Sequence, residues 1–173
     1  MSSRDAIVAE IPRLRRYARA LTGRSDSADD LVQDTLERAL DKWRFWQRER
    51  DLRPWLFSIM HNLHVDGHRR NGHDGHNGRV EFCDDEDLPV PVQRAEQADA
   101  LELRDLERAL SLLPLDQREV LLLVGLEELS YAEVARALGV PQGTVMSRLS
   151  RARNRLKAIL AGESTPHLKV VSS

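Results

Sequence analysis

The sequence is poor in cysteine, in aromatic side chains and in long apolar runs, and each shortage excludes a class of protein. The single cysteine, Cys83, rules out an intrachain disulfide framework and a zinc site built on several thiolates. No stretch of about 18 apolar residues is present, so no membrane insertion is expected. The first residues lack the apolar core of a signal peptide, and we therefore expect a cytoplasmic protein.

Motifs of catalysis are lacking as well. The sequence contains no Gly-rich phosphate loop and no recognisable nucleophile motif. We therefore predict no enzymatic activity, no cofactor and no resident metal.

Charge is nearly balanced over the whole chain, at a formal net −2, but it is unevenly distributed. Five of the seven residues in 81–87 are acidic, whereas residues 134–160 carry six basic side chains and no acidic one. The six basic residues are Arg136, Arg148, Arg151, Arg153, Arg155 and Lys157. Judged on charge alone, contact with nucleic acid and a solvated helix face are equally good interpretations of such a run.

Apolar residues recur at helical spacing on both sides of a central segment, and no strand pattern is found. The sequence predicts an all-α fold of two small helical domains joined by a flexible linker. The domains span 1–73 and 101–161, the linker spans 74–100 and a tail spans 162–173. Clustered glycines, acidic residues and two prolines make the linker unsuited to a packed element.

Two prolines affect the first half. Pro12 interrupts the first apolar stripe, so the helix either begins there or is kinked there. A third helix is expected after Pro54.

The most specific segment is Ser130 to Leu149. Ser130 and Glu133 have the spacing of a capping box, Gly139 permits a left-handed turn, and Pro141 opens a second amphipathic helix. This order predicts a helix-turn-helix whose second helix enters a DNA major groove. An ordinary helical hairpin is the alternative. The residues expected to face bases are Gln142, Thr144, Val145, Ser147 and Arg148, and those expected to face phosphates are Arg136, Arg151, Arg153 and Arg155.

Two sets of motifs resemble bacterial sigma factors of the sigma-70 family, in the extracytoplasmic-function (ECF) group. The run Leu113-Pro114 with Gln117-Arg118-Glu119-Val120, followed by the helix-turn-helix, resembles sigma region 4. The run Asp29-Asp30-Leu31-Val32-Gln33-Asp34-Thr35, with Pro54-Trp55-Leu56-Phe57, resembles sigma region 2. The resemblance implies a promoter-recognition subunit of RNA polymerase, with region 4 reading the −35 element and region 2 opening the −10 element.

The resemblance also implies partners and site residues. Core RNA polymerase would bind the acidic helix face formed by Asp30, Gln33, Asp34 and Glu37, although such a face on a lone helix is more often merely solvated. The −10 element would be contacted by Phe45, Trp46, Arg48, Arg53, His61, Asn62, Arg69 and Arg70. Core packing is the alternative interpretation for the tryptophans. Promoter DNA is the second partner, and an anti-sigma factor is expected from the resemblance alone.

Five of the six histidines lie between residues 61 and 76. His61, His64 and His68 share one helical face, and His64 with His68 has a spacing that can bind a transition metal. Neutral or weakly basic DNA-side surface is the preferred interpretation, and a metal-dependent hydrolase is disfavoured because no paired carboxylate lies nearby. The remaining competing function is a stand-alone helix-turn-helix regulator that binds duplex DNA without polymerase.

Overall fold

The computed structural model describes residues 3–46, 51–71 and 97–162. Within these ranges the chain forms helices joined by short turns, without a strand. The helices are α1 (Ser3–Thr22), α2 (Ser25–Asp41), α3 (Leu52–Asn71), α4 (Gln97–Ser111), α5 (Leu115–Gly125), α6 (Tyr131–Leu138) and α7 (Gln142–Leu160). A single 3-10 turn spans Trp43–Phe45. The predicted all-α fold is confirmed.

The front half, residues 3–71, packs α1, α2 and α3 against one another. Helix α1 is continuous across Pro12, which lies inside the helix rather than at its start. Its buried stripe includes Leu14, Tyr17 and Leu21, all at most 1% exposed. The apolar spacing therefore places one face of α1 in a core that Phe57 of α3 also enters, with its ring 4.9 Å from that of Tyr17.

Helix α3 begins at Leu52, so Pro54 lies in its first turn instead of preceding it. A proline is tolerated there because the first backbone N–H groups of a helix have no intrahelical acceptor. The predicted helix is therefore present and starts slightly earlier than expected.

The rear half, residues 97–162, contains α4 to α7. Ser130 accepts a hydrogen bond from the backbone N–H of Glu133, and the Glu133 carboxylate accepts one from the backbone N–H of Ser130. Gly139 ends α6 in the left-handed conformation at φ 66°. The predicted capping box, turn and second helix are all present, and they fix the angle between α6 and α7.

Helix α4 begins at Gln97, four residues before the predicted boundary at residue 101. The side chains of residues 97–100, of Ser3 and of Asn71 are not described. Most of the predicted linker, together with Cys83, His73, His76 and Arg48, lies outside the described residues.

The two halves are in direct contact. Helix α6 packs on α3, α5 packs on α1, and buried apolar side chains from both halves belong to one continuous cluster. The sequence alone predicted two domains joined by a flexible linker, and it did not predict this face-to-face packing. No described helix is long and apolar enough to cross a bilayer.

Candidate nucleic-acid and polymerase interfaces

The recognition helix α7 presents a basic surface at the outer side of the helix-turn-helix. Gln142, Ser147, Arg151 and Arg153 are exposed, and Thr144 is half-buried. The Ser147 hydroxyl donates to the carbonyl of Thr144 at 3.1 Å, which orients it along the helix. Polar side chains at the N-terminal end of such a helix are placed where base edges lie in a major groove.

Val145 does not belong to that surface. It is 0% exposed and packs in the core of the rear half together with Leu149 and Ala152 of the same helix. The expectation that Val145 faces bases was wrong, because its position places it on the buried stripe of α7. Its role is to seat the recognition helix on its neighbours.

Arg148 is half-buried and has a carboxylate partner. Its Nε lies 3.7 Å from Oδ2 of Asp116, at the start of α5. This contact lies towards the N-terminal end of α7 and uses only one of the five N–H donors of the guanidinium. Arg136 is exposed on α6 and, with Arg151 and Arg153, is suited to phosphate contacts.

An aromatic cluster lies at the end of α2 and the start of α3. The rings of Trp43, Trp46 and Trp55 are 4.8 to 6.3 Å apart, and all three side chains are half-buried. The indole N–H of Trp46 is buried without a hydrogen-bond partner among the described residues. The three tryptophans therefore pack on one another and form an aromatic platform.

The side chain of Phe45, next to this platform in the sequence, is exposed to solvent. Its side chain is 71% exposed, and the guanidinium of Arg44 lies 5.1 Å from the ring centroid. An exposed aromatic ring beside a cation is the arrangement that stacks unpaired bases and holds the phosphates that connect them.

The other predicted −10 residues differ in how accessible they are. Arg53 pairs with Glu10 of α1 at 3.1 Å, and His61 Nδ1 lies 2.7 Å from Oε1 of Glu119 in the rear half. Asn62, Arg69 and Arg70 are exposed on α3. In this conformation the structure leaves Phe45, Asn62, Arg69 and Arg70 accessible, while His61 is engaged within the molecule.

The outer face of α2 is exposed and mostly acidic. Asp30, Gln33, Asp34 and Glu37 are among its exposed residues. The Gln33 amide donates to the Glu37 carboxylate at 3.1 Å, one helical turn away. The inner face of α2, with Leu31, Val32 and Thr35, is buried against the other two helices of the front half. The acidic face therefore points outward.

Among the described residues, no group of three metal-ligating side chains converges on the histidine face of α3. The rings of His64 and His68 are stacked edge-to-face at 4.5 Å. Burial, assisted by the neighbouring His68 and Arg118, lowers the pKa of His64 to about 4. The His64 imidazole is therefore neutral at pH 7.

Three buried charged residues at the contact between the halves were missed by the sequence analysis. Arg118, Glu119 and Glu127 are at most 2% exposed. Arg118 donates to the carbonyls of four residues at 2.8 to 3.0 Å, namely Leu110, Ser111, Leu113 and Leu21. Charged residues are almost always solvated, so nothing in the sequence pattern marked these three as interior.

The chain matches two family models, one in each half. Residues 7–61 match the model of the sigma2 domain of PhyR, and residues 97–156 match the model of sigma-70 region 4. The two matches occur in the order that the sequence motifs predicted.

Whole-chain similarity extends over both halves. The chain is 40% identical over 159 residues to the ECF RNA polymerase sigma factor EcfG of Rhodopseudomonas palustris (strain TIE-1), covering 92% of this chain and 85% of that protein. It is 35% identical over 170 residues to the ECF RNA polymerase sigma factor SigE of Mycolicibacterium smegmatis, covering 95% of this chain and 64% of that protein.

The fold is also similar to that of a solved complex. The sigma factor RpoE from Bartonella quintana, co-crystallised with the anti-sigma factor NepR, matches with a TM-score of 0.74 and 34% identity. The match covers 93% of this chain and 98% of that one.

Proposed function

The chain belongs to the ECF RNA polymerase sigma factors, and from that premise we propose which of its surfaces carry out promoter recognition and strand opening. In this proposal the rear half reads the −35 element as duplex DNA, and the front half captures unpaired bases of the −10 element. The observation that carries the proposal is the exposed basic face of α7 in one half, combined with the exposed Phe45 and Arg44 in the other.

The −35 contacts are assigned to α7. Gln142, Ser147 and Arg148 lie at or near the N-terminal end of the helix, where their donors and acceptors reach base edges. Thr144 is half-buried and supplies a smaller contact at the same end. Arg136, Arg151 and Arg153 bind the DNA backbone and set the register of the helix on the duplex.

The −10 contacts are assigned to the aromatic platform and to α3. In this proposal Phe45 stacks on an unpaired base beside the platform that contains Trp46, and Arg53, Asn62, Arg69 and Arg70 contact phosphates and base edges. Arg48 lies outside the described residues and remains a predicted phosphate contact. His61 joins this surface only when it is released from Glu119.

No covalent chemistry is required for this activity. Strand opening follows if binding to unstacked bases offsets the cost of unpairing them, which is a few kcal/mol for one base. We accordingly propose a binding protein rather than an enzyme. Its action on polymerase implies a cytoplasmic location.

Core polymerase is proposed to bind the acidic face of α2. Four exposed polar or acidic side chains on one rigid helix face complement a basic surface on a large partner. An anti-sigma factor is proposed as a second protein partner, because the structurally similar RpoE was crystallised with one.

Promoter-specific transcription tests this function. The protein added to core polymerase is expected to yield transcripts from a defined promoter that core polymerase alone does not start. Tight duplex binding by the free chain, with no association with core polymerase, would instead support the stand-alone regulator.

The variant Asp34→Arg tests the α2 face within the same assay. Reversing an exposed charge on this face should weaken association with core polymerase by about tenfold, or 1.4 kcal/mol, while the helical circular dichroism stays unchanged. The matched control is Asp105→Arg, an equal charge change at an exposed position of α4. Equal losses for the two variants would contradict the assignment of the α2 face.

A further inference from the structure

We propose that Asp116 of α5 is a positioning residue for the DNA contact of Arg148. Its carboxylate holds the arginine in the orientation that reads one base pair of the −35 element. Asp116 itself touches no base in this proposal and acts only through Arg148. The inference rests on the proposed function, because it concerns how α7 recognises duplex DNA.

The two oxygens of the Asp116 carboxylate have different partners. Oδ1 accepts a hydrogen bond from the backbone N–H of Gln117 at 2.9 Å, and Oδ2 lies 3.7 Å from Nε of Arg148. The first contact ties the side chain to the first turn of α5, where the helix dipole also favours a negative charge. The second contact is an ion pair between two helices. The orientation of the Asp116 carboxylate is therefore fixed independently of Arg148.

Packing between α5 and α7 sets the distance between the two residues. The helices contact each other directly. The apolar core that joins them contains side chains that are at most 2% exposed, namely Val120, Leu123, Val145 and Leu149. Arg148 directly precedes the buried Leu149 in α7, so its backbone is held by a close-packed core. The fold thus places the carboxylate and the guanidinium next to each other without a mobile loop.

The ion pair leaves the outer part of the Arg148 guanidinium available. Nε is the guanidinium nitrogen nearest to the helix, and both terminal amino groups lie beyond it. These terminal groups can bind O6 and N7 of a guanine in a bidentate contact. An arginine that is already restrained at Nε loses less conformational freedom when it binds. Because the restraint favours one orientation, it should increase discrimination between bases more than overall affinity.

Two physical arguments disfavour a purely stabilising role for Asp116. Its side chain is 52% exposed, and ion pairs between solvent-exposed side chains contribute little to folding stability. A carboxylate beside a DNA-reading arginine also repels the phosphates, which lowers affinity for every DNA sequence. A gain in recognition of the correct sequence offsets this repulsion, whereas a small gain in stability does not.

Other arginines of α7 provide an internal comparison. Arg151, Arg153 and Arg155 are exposed, and within residues 97–162 no acidic side chain forms an ion pair with them. Arg148 is only 26% exposed and has its acidic partner at 3.7 Å. The side chain of Arg148 should therefore move less in the free protein than those of its neighbours on the same helix.

The first test measures this mobility by NMR in the free, full-length chain. In protein labelled with nitrogen-15 arginine, the Nε–Hε order parameter of Arg148 should exceed those of Arg151 and Arg153. Asp116→Asn keeps an oxygen for the backbone N–H of Gln117 but removes the charge, so it should lower the Arg148 value to that of the two neighbours. Equal order parameters in wild type, or no change in Asp116→Asn, would overturn the proposal.

The second test measures promoter discrimination by holoenzyme, reconstituted from core polymerase and the full chain. On a panel of single-base −35 variants, Arg148→Ala identifies the base pair that this arginine reads. At that base pair Asp116→Asn should reduce the preference for the correct base by about three- to tenfold, as expected when one side chain loses its restraint. Binding to DNA without a −35 element should be unchanged or tighter, because a repulsive charge is removed.

Two further variants make the second test specific. Asp105→Asn is the matched control, with the same charge change at an exposed position of α4, and it should leave the preference unchanged. The double variant Asp116→Asn with Arg148→Ala should discriminate no worse than Arg148→Ala alone, because Asp116 acts only through Arg148. The proposal is overturned by an equal loss at all promoters in Asp116→Asn, by the same loss in Asp105→Asn, or by a further loss in the double variant.

Failure of this inference and failure of the proposed function give different results. If wild-type holoenzyme starts at the promoter and Asp116→Asn discriminates as well as wild type, only the inference fails. If Arg148→Ala weakens binding uniformly, Arg148 reads no base, and the inference fails while promoter-dependent transcription stands. If wild type yields no promoter-specific transcript, the proposed function is refuted, and the order parameters alone decide whether Asp116 restrains Arg148.

Discussion

His64 is a single side chain whose surroundings make the stability of the protein depend on pH. Its pKa is lowered from 6.5 to about 4, mainly by burial and then by the nearby His68, Arg118 and His61. Between these two pH values the unfolded chain binds more protons at this position than the folded chain does. The free energy of unfolding should therefore fall as the pH is lowered from about 6.5 towards 4.

Urea unfolding at several pH values measures this effect. The contribution of His64 to stability should decrease by on the order of 2 kcal/mol between pH 7.5 and pH 5. His64→Leu should remove most of that dependence, whereas His68→Gln, which removes only a secondary cause of the shift, should retain most of it, because burial is the largest cause. An unchanged pH profile in His64→Leu would show that another group titrates instead.

For Arg148, a binding experiment can distinguish a contact to a base from a contact to a phosphate. If it makes a bidentate contact to a base, Arg148→Ala should cost about 1–3 kcal/mol at one −35 position and relax the preference there. Binding to a panel of single-base −35 variants measures this, and Arg153→Ala should weaken binding uniformly across the panel. If Arg148→Ala also weakens binding uniformly across the panel, Arg148 contacts a DNA phosphate and not a base.

At the scale of the elements, the turn between α6 and α7 depends on one backbone conformation. Gly139 has a φ of 66°, and a Cβ added there would meet no heavy atom within 4 Å. The cost of a substitution is therefore conformational strain and not a clash. Gly139→Ala should destabilise the protein by about 1 kcal/mol, and Gly139→Asn should cost less, because asparagine tolerates the left-handed region.

Thermal unfolding of the two variants, compared with wild type, tests this account of the turn. Gly125→Ala is the control, since Gly125 lies at the end of α5, has open space around it and does not have a positive φ. A larger loss in Gly139→Asn than in Gly139→Ala would indicate that side-chain volume, and not backbone strain, limits this position.

Much of each element was predictable from sequence. Helical spacing, the Ser130 and Glu133 capping box and the Gly139 turn are local signals, and local signals determine where helices start and stop. The apolar stripes also predicted which faces of α1 and α2 are buried. The prediction for Val145 was wrong because a residue near the start of a recognition helix can point to DNA or to the core. The sequence of a single helical turn does not distinguish these two orientations.

At the scale of the whole molecule, the contact between the halves was not predictable. It joins residues about 60 to 110 positions apart in the chain, such as His61 with Glu119 and Arg16 with Glu127. It also uses charged side chains, which a sequence pattern assigns to solvent by default. The composition of the segment between the halves carries no information about how the halves meet.

The four hydrogen bonds of Arg118 are unequally shared between the halves. Three go to carbonyls of its own half, and only the one to Leu21, near the end of α1, crosses over. The final carbonyls of a helix are readily satisfied by water. Loss of the Leu21 contact would thus exchange one protein acceptor for a water molecule and leave the other three hydrogen bonds of this guanidinium in place.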